Sequence, residues 1–358
     1  MANKQIFRKS CMAMAIFAAM ALLSNSAMAK TYRWVLGAGH PGTGSNSVVE
    51  KYFAPTVAKR IKAATGDNVK WVFAWGGAIA KVGDELEAVG QGTLTFGPVQ
   101  YPFEWAKLPL GTVFYNLPFN TSDMAVMDQI GYRMHKAVPF MEKELEKNNV
   151  KYIGNGGWDS YQVLTKFPVR TIDDLKNRKI SGAGPNLQWI KAAGAIPVQG
   201  NLTEWYTSLQ TGVVEGALVA VTWINTFKFW DVAKYVALAD FGAMAATGWG
   251  MNLDEFNDLP KEIQDIILQT GEEMVGKVTA YNQKYLKDTI RMAKQKGVTF
   301  YQMPYSEKRR WANLMPNYPA KFIKTYEAKG LPARKLVEFV IDEQKKAGYR
   351  FPRDWKLD

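Results

Sequence analysis

Chemistry in this chain must come from few residue types. It has two histidines, His40 and His135, and one cysteine, Cys11. That inventory argues against a His-based metal centre, a His-dependent catalytic triad or a Cys-rich site. No Walker A loop, nucleophile elbow or HExxH motif is present. Gly37-x-Gly39-x-x-Gly42 matches the dinucleotide fingerprint in letters. Its Pro41 stands where a helix N-terminus would approach a pyrophosphate, and no acidic residue ends a second strand. Neither a cofactor nor a metal is therefore expected. Tryptophan is plentiful instead, with 12 in the chain. Trp75, Trp105, Trp158, Trp205, Trp223 and Trp249 fall at strand ends or in loops. An indole offers an apolar face and one N–H, which suits the wall of a small-molecule cleft and equally suits core packing.

The elements that must position these residues alternate between strand and helix. Tyr32 to Leu36 reads as a buried strand, Ser45 to Ala64 as a helix, and Asn68 to Ala74 as a second strand. A helix ending near Gly90 and a strand from Thr93 to Val99 complete a βαβαβ rhythm, which implies a parallel sheet. A helix from Ser122 to Lys147, with Ser122 as cap, closes the first half. The second half reads as strands over 151–156, 161–165, 178–181 and 213–221. Between and after them come helices over 185–193, 203–211 (capped by Thr203) and 223–233. Pro260 to Lys296 carries apolar residues at helical spacing, with Asp258 a possible cap. One helix of roughly 55 Å follows, long enough to tie two lobes together, although Gly271 and Gly276 leave room for two shorter helices. A strand over 298–301 precedes a basic helical tail.

The N-terminus reads as an export signal. Lys4, Arg8 and Lys9 precede an apolar run from Cys11 to Leu23, too short to span a bilayer, and Ala27-Met28-Ala29 matches a cleavage site. Cleavage after Ala29 is expected; an uncleaved anchor is the other reading. No lipobox cysteine follows the apolar run, so a freely diffusing exported protein is expected rather than a lipid-anchored one. The formal charge of +12 falls to +9 once the signal is removed. Residues 284–358 hold 18 Lys/Arg against 8 Asp/Glu, and residues 30–283 hold 24 against 25. The basicity therefore belongs to the tail, as solvated helix faces or as a surface docking on a membrane component. It is poor evidence for nucleic acid, whose sheet-borne aromatic motifs are missing.

Several runs resemble the DctP-type solute-binding proteins of TRAP (tripartite ATP-independent periplasmic) transporters. They are His40-Pro41 with Gly42 to Phe53, Gly76-Gly77, and Glu87-Ala88-Val89-x-x-Gly92-Thr93. More specific are Thr171 to Lys176, Lys179-Ile180, Gly194-Ala195-x-Pro197, and Glu204-x-Tyr206-x-x-Leu209-Gln210-x-Gly212 through Gly216. The resemblance spans nearly all of residues 31–347. It implies an α/β, two-lobed periplasmic binding protein fold (type II-like) with a long helix spanning both lobes. Lobe I would comprise residues 30–157 plus about 248–287, and lobe II 158–247 plus about 288–358. It also implies a periplasmic receptor, not an enzyme, that closes on a small organic solute. The partners would be the small and large TRAP membrane subunits, and a monomer is favoured over a dimer. Two alternatives remain at this stage: a sensor partner of a membrane receptor, and an exported enzyme on the same scaffold.

The ligand is where the chain departs from that family. Most relatives carry a carboxylate-binding arginine two residues after the lysine of Lys179-Ile180, and here that position is Ser181. The second arginine position aligns near Ser160, and a pocket asparagine near Val219. Three solute types stay open. An acid could be held by neutral donors such as Ser181, Gln100 and indole N–H groups. A neutral or aromatic solute could stack on Trp158, Tyr161 or Trp223. An amine could pair with Asp159, which otherwise reads as a turn residue. Ligand-binding candidates are therefore His40, Trp75, Gln100, Trp158, Asp159, Tyr161, Ser181, Val219 and Trp223, with His40 equally suited to capping or packing.

Overall fold

The computed structural model describes residues 29–358. The expected signal segment before Ala29 lies outside those residues. No helix among the described residues is long and apolar enough to cross a membrane.

Among the described residues eleven strands form two sheets. The first contains β1 (Thr31–Gly37), β2 (Asn68–Ala74), β3 (Phe96–Gln100), β4 (Val150–Trp158) and β10 (Met244–Asn252), in the order β2-β1-β3-β10-β4. The second contains β5 (Tyr161–Thr165), β6 (Lys179–Gly182), β7 (Ile196–Gln199), β8 (Gly216–Ala220), β9 (Tyr235–Leu238) and β11 (Thr299–Gln302), in the order β11-β9-β5-β8-β6-β7. The expected parallel core is present in β1, β2 and β3. β10 runs antiparallel between β3 and β4, and the sequence pattern does not announce it. Its Ala and Gly residues have low strand propensity. Tertiary packing supplies the reason: a Cβ at Gly248 would lie 2.9 Å from the Tyr101 hydroxyl, and one at Gly250 2.3 Å from Val150 Cγ1. Close neighbours select glycine there.

The principal helices are α1 (Ala54–Thr65), α2 (Glu85–Gly90), α3 (Met124–Ala137), α4 (Phe140–Glu146), α5 (Leu187–Ala192), α6 (Leu202–Thr211), α7 (Val221–Thr226), α8 (Leu253–Asn257), α9 (Lys261–Gln295), α10 (Tyr305–Leu314), α11 (Tyr318–Glu327) and α12 (Ala333–Lys346). Several boundaries differ from the sequence reading. The helix expected from Ser122 to Lys147 is two helices, broken at Val138-Pro139, because proline disfavours helical geometry in the residue before it. Asp123, not Ser122, caps α3 by accepting from the Ala125 and Val126 amides. Asn201, not Thr203, caps α6. The expected strand over 213–221 shortens to β8, since Val213 is exposed in the turn after α6. The expected helix over 223–233 is the shorter α7, and Lys228 at φ 57° ends its run. β7 carries Pro197, which is tolerated because β7 is an edge strand.

The long helix is continuous. α9 has 35 residues, roughly 52 Å at 1.5 Å each, and Asp258 does not cap it. Gly271 does not break it. A Cβ there would fall 2.3 Å from the Ile153 carbonyl oxygen, so glycine lets β4 lie close against the helix. The first turns of α9 bury Ile263, Ile267, Met274 and Val278 in the core of the first sheet with Trp34, Phe53 and Trp249. Its last turns bury Ala293 among Leu164, Trp205 and Phe229 of the second sheet, with Leu286 and Ile290 packed alongside. One helix thus belongs to both cores. The C-terminal helices, placed with the second lobe from sequence, also pack on first-lobe segments. α12 lies against α3, and Gln344 on α12 is fully buried, accepting from the Thr121 amide at 2.8 Å and donating to Asn120 Oδ1 at 2.7 Å.

Candidate functional site

The chain passes between the sheets where strands end. β4 finishes at Trp158 and β5 begins at Tyr161; β9 finishes at Leu238 and β10 begins at Met244. These crossings bring the carboxyl ends of β1, β2, β3 and β4 beside the carboxyl ends of β6, β8 and β9. Ligands of open α/β sheets bind at such ends.

On the first-lobe side, the loop after β1 carries His40. Its carbonyl accepts from the Gly76 amide at 3.0 Å, tying this loop to the one after β2. Glu85 at the start of α2 secures the same loop: its carboxylate accepts from the Gly39 amide at 3.0 Å and the Gly83 amide at 2.6 Å. Burial pushes the Glu85 carboxyl up to about 7 against those two stabilising amides. His40 is half-buried, and burial lowers its pKa, which favours the neutral ring. Its Nδ1 lies 3.5 Å from Gln100 Nε2 at the end of β3, and Gln100 Oε1 accepts from Thr247 Oγ1 at 3.0 Å. His40, Gln100 and Thr247 therefore form one neutral polar network. Thr247 sits on β10, a strand that the sequence pattern does not announce. Trp75 stands apart from this group. Its Nε1 donates to Glu50 Oε2 at 2.6 Å, and its ring presses on Gly42, where a Cβ would lie 2.6 Å from Cδ1.

At the crossing itself, Trp158, Tyr161 and Trp223 come together. Ring centroids are 6.3 Å apart for Trp158–Tyr161, 5.7 Å for Trp158–Trp223 and 5.4 Å for Tyr161–Trp223, with both tryptophans edge-on to the tyrosine. Behind them lie Tyr115, whose hydroxyl is 3.2 Å from that of Tyr161, and Trp189, which meets Tyr161 edge-on at 5.9 Å. Burial drives the Tyr161 phenol well above its ordinary value, so it stays protonated at any physiological pH. Tyr115, Trp189 and Asn186 were not among the sequence candidates. Tyr115 sits in a 3₁₀ segment over 109–116 that no periodicity marks.

Three candidates have other work. The Asp159 carboxylate accepts from the amides of Val221 (2.5 Å) and Thr222 (3.3 Å) and from Thr222 Oγ1, so it caps the start of α7 from across the sheet. Those three donors tie the carboxylate to α7 and occupy most of its acceptor sites. Burial still raises its pKa to about 6. The Ser181 hydroxyl, 1% exposed, donates to the Val198 carbonyl at 3.1 Å on the neighbouring strand. Trp205 closes the space beside it: a Cβ at Gly200 would lie 2.7 Å from Trp205 Nε1 and 3.0 Å from Ser181 Oγ. Val219 is fully buried in the core containing Trp205 and Leu209, and its paired neighbour Gln162 exchanges hydrogen bonds with Asp240. Among the described residues no group of three or more His, Cys, Asp or Glu is placed to hold a metal ion.

Residues 41–325 match the sequence profile of DctP, the bacterial extracellular solute-binding proteins of family 7. The chain belongs to this family. Among curated relatives, a solute-binding protein of Sulfitobacter sp. is 28% identical over 55% of this chain, which spans only 60% of that relative's length. The C4-dicarboxylate-binding protein DctB of Bacillus subtilis is 23% identical over 71% of this chain and 73% of its own. Among solved structures, a TRAP periplasmic solute-binding protein of Desulfovibrio salexigens in an open complex superposes with a TM-score of 0.78 at 20% identity. The alignment covers 88% of this chain and 96% of that one. A second protein from that organism, with bound orotic acid, gives 0.74 at 22% identity, covering 88% and 99%. At these identities the structures speak for the fold: the two-lobed architecture of DctP-type receptors with a helix through both lobes.

Proposed function

We propose that this DctP-family chain is a periplasmic receptor that closes on one small organic solute and delivers it to a TRAP-type secondary transporter. The observation that supports this most directly is the convergence of two unlike surfaces where the chain passes between the sheets. One is the neutral polar network of His40, Gln100 and Thr247; the other is the aromatic group of Trp158, Tyr161 and Trp223. A solute touching both would favour the closed arrangement by the difference in its contacts between closed and open forms. Such a receptor performs no chemistry on its solute. Relatives fit this frame: the ectoine-binding protein of the TeaABC TRAP transporter of Halomonas elongata shares the fold at a TM-score of 0.73.

Export with cleavage after Ala29, diffusion without a lipid anchor and action as a monomer complete the proposal. Native mass spectrometry of protein taken from the periplasm tests it. The expected result is a mature chain beginning at Lys30, carrying one non-covalent solute that is released unchanged on denaturation. Recovery of a chemically converted solute on incubation would refute the receptor reading.

A further inference from the structure

A receptor that closes needs a stretch of chain on which its lobes turn. Resting on that receptor reading, the return crossing from Asp240 to Ala243 supplies one. Its start is tied to the second lobe. Asp240 Oδ1 accepts from Gln162 Nε2 of β5 at 2.9 Å, and the Asp240 amide donates to Gln162 Oε1 at 2.9 Å. Oδ2 pairs with Lys308 of α10 and accepts from Gln302 Nε2, at the end of β11, at 3.3 Å. Its end is tied to the first lobe: the Ala243 amide donates to the Thr121 carbonyl at 2.9 Å, one residue before β10 joins the first sheet. Only Phe241 and Gly242 lie between the two anchorages. Gly242 stands at φ 108°, which favours glycine, and a Cβ there would lie 2.4 Å from Asn120 Cβ. A few residues at the end of an element are what absorb the dihedral change of hinge closure.

On the other side of this pivot run Phe119, Asn120 and Thr121, and the C-terminal segment grips all three. Tyr349 Oη donates to the Phe119 carbonyl at 2.8 Å. Gln344 Nε2 donates to Asn120 Oδ1 at 2.7 Å, and Gln344 Oε1 accepts from the Thr121 amide at 2.8 Å. The grip is passed on, since the Asn120 amide donates to the Phe241 carbonyl at 3.2 Å and the Phe119 and Phe241 ring centroids are 5.0 Å apart. The outward crossing rides on the same point: the Phe241 amide donates to the Tyr161 carbonyl at 3.2 Å, and the Gly242 amide to Ser160 Oγ at 3.0 Å. Phe119 itself is held at φ 61°, a conformation that a bulky side chain keeps only when its surroundings enforce it. A fully buried amide at position 344 costs desolvation that an apolar side chain would not. Bonded to partners 223 and 224 residues away, it rigidifies what it holds.

We propose that Gln344 and Tyr349 are positioning residues for solute capture: from the C-terminal segment they brace residues 119–121 and so fix the line about which the lobes turn. Freed of the brace, the lobes take a wider spread of separations, and a solute selects its closed arrangement from a smaller share of the molecules. The test needs no solute. Cys11 is the chain's one cysteine and falls in the expected signal, so the mature protein accepts a pair of spin labels. Lys70→Cys on β2 and Val213→Cys after α6 place them on exposed positions of opposite lobes. Electron–electron double resonance then reads the distribution of lobe separations. Gln344→Met should widen that distribution about twofold, and Tyr349→Phe, which keeps the ring, should widen it less. Val337→Ala is the control. Val337 is fully buried on α12 and its side chain makes no hydrogen bond, so this variant should lower the melting temperature and leave the distribution as in the wild type. Tyr349→Phe carries the test if Gln344→Met does not fold. A wild-type distribution in every folded brace variant, or equal widening in Val337→Ala, overturns the inference and leaves the receptor reading standing; that reading falls on conversion of its solute.

Discussion

Asp128 on α3 faces the last residues of β4, where the chain is about to pass between the lobes. One carboxylate oxygen accepts from Thr279 Oγ1 of the long helix at 2.6 Å, and the other lies against Gly157, beside the Met244 carbonyl. Among the described residues no cation is bonded to it, and burial raises its pKa from 3.8 to about 7. Three pKa units at 1.36 kcal/mol each amount to about 4 kcal/mol, on the scale of a whole domain's stability margin. The sign follows from linkage. The folded pKa is the raised one, so the native state holds the proton more tightly than the unfolded chain. Nothing is lost below the unfolded value near 4, and the penalty grows as pH rises to about 7 and then stays. Asp128→Asn removes the titration while keeping an oxygen for Thr279. Urea unfolding of both proteins should therefore show stabilities within ~1 kcal/mol at pH 4.5 and an advantage for Asp128→Asn of ~2–4 kcal/mol at pH 8. Glu85 and Glu144, also raised to about 7 by burial, titrate alike in both proteins and cancel in the difference. Parallel pH profiles for the two proteins would refute the reasoning, because they would mean that Asp128 is never charged at a cost in the fold.

Three further outcomes follow from named contacts. Gly157→Ala would drive a Cβ to 2.3 Å from the Met244 carbonyl oxygen, so thermal unfolding should show a loss of ~2–4 kcal/mol; a wild-type melting temperature would show that β10 yields freely here. Glu85→Gln keeps one acceptor oxygen for two amides, which should loosen the His40 loop, cost ~1–2 kcal/mol near pH 5, where burial keeps the wild-type carboxyl protonated, and weaken solute affinity several-fold in calorimetry. Because the folded pKa is raised to about 7, the wild type itself loses stability as pH rises through that value, so the cost should shrink by pH 8; a cost that grows with pH would count against this account. Ser181→Arg installs the arginine that the family resemblance leads one to expect there but must displace Trp205, so it should destabilise by ~2 kcal/mol or more and confer no binding of succinate or malate; a gain of dicarboxylate binding would show that Trp205 is no barrier.

How much of the site was legible follows from which interactions are local. His40 and Gln100 were visible because each sits where a strand ends and a loop begins, a position that pattern alone marks. Trp158, Tyr161 and Trp223 were visible as aromatics at similar ends. The surroundings of Asp159, Ser181 and Val219 were not legible because their partners are 62, 17 and 10 to 14 residues away: the α7 amides, the Val198 carbonyl and the Leu209 and Trp205 side chains of α6.

By itself the amino-acid sequence determined the alternation of strands and helices, the long tie helix, the family and the lack of an arginine at position 181. These depend on hydrophobic period, on residue identity at fixed spacing and on chain punctuation, all of which act over a few residues. Tertiary structure alone decided that β10 inserts antiparallel into the first sheet, that α9 continues through Gly271, and that Trp205 occupies the room beside Ser181. It also decided which polar atoms are satisfied. Hydrogen-bond pairing and close packing join residues far apart in the chain, and the cost of an unpaired buried group exists only once burial has been settled by the whole fold.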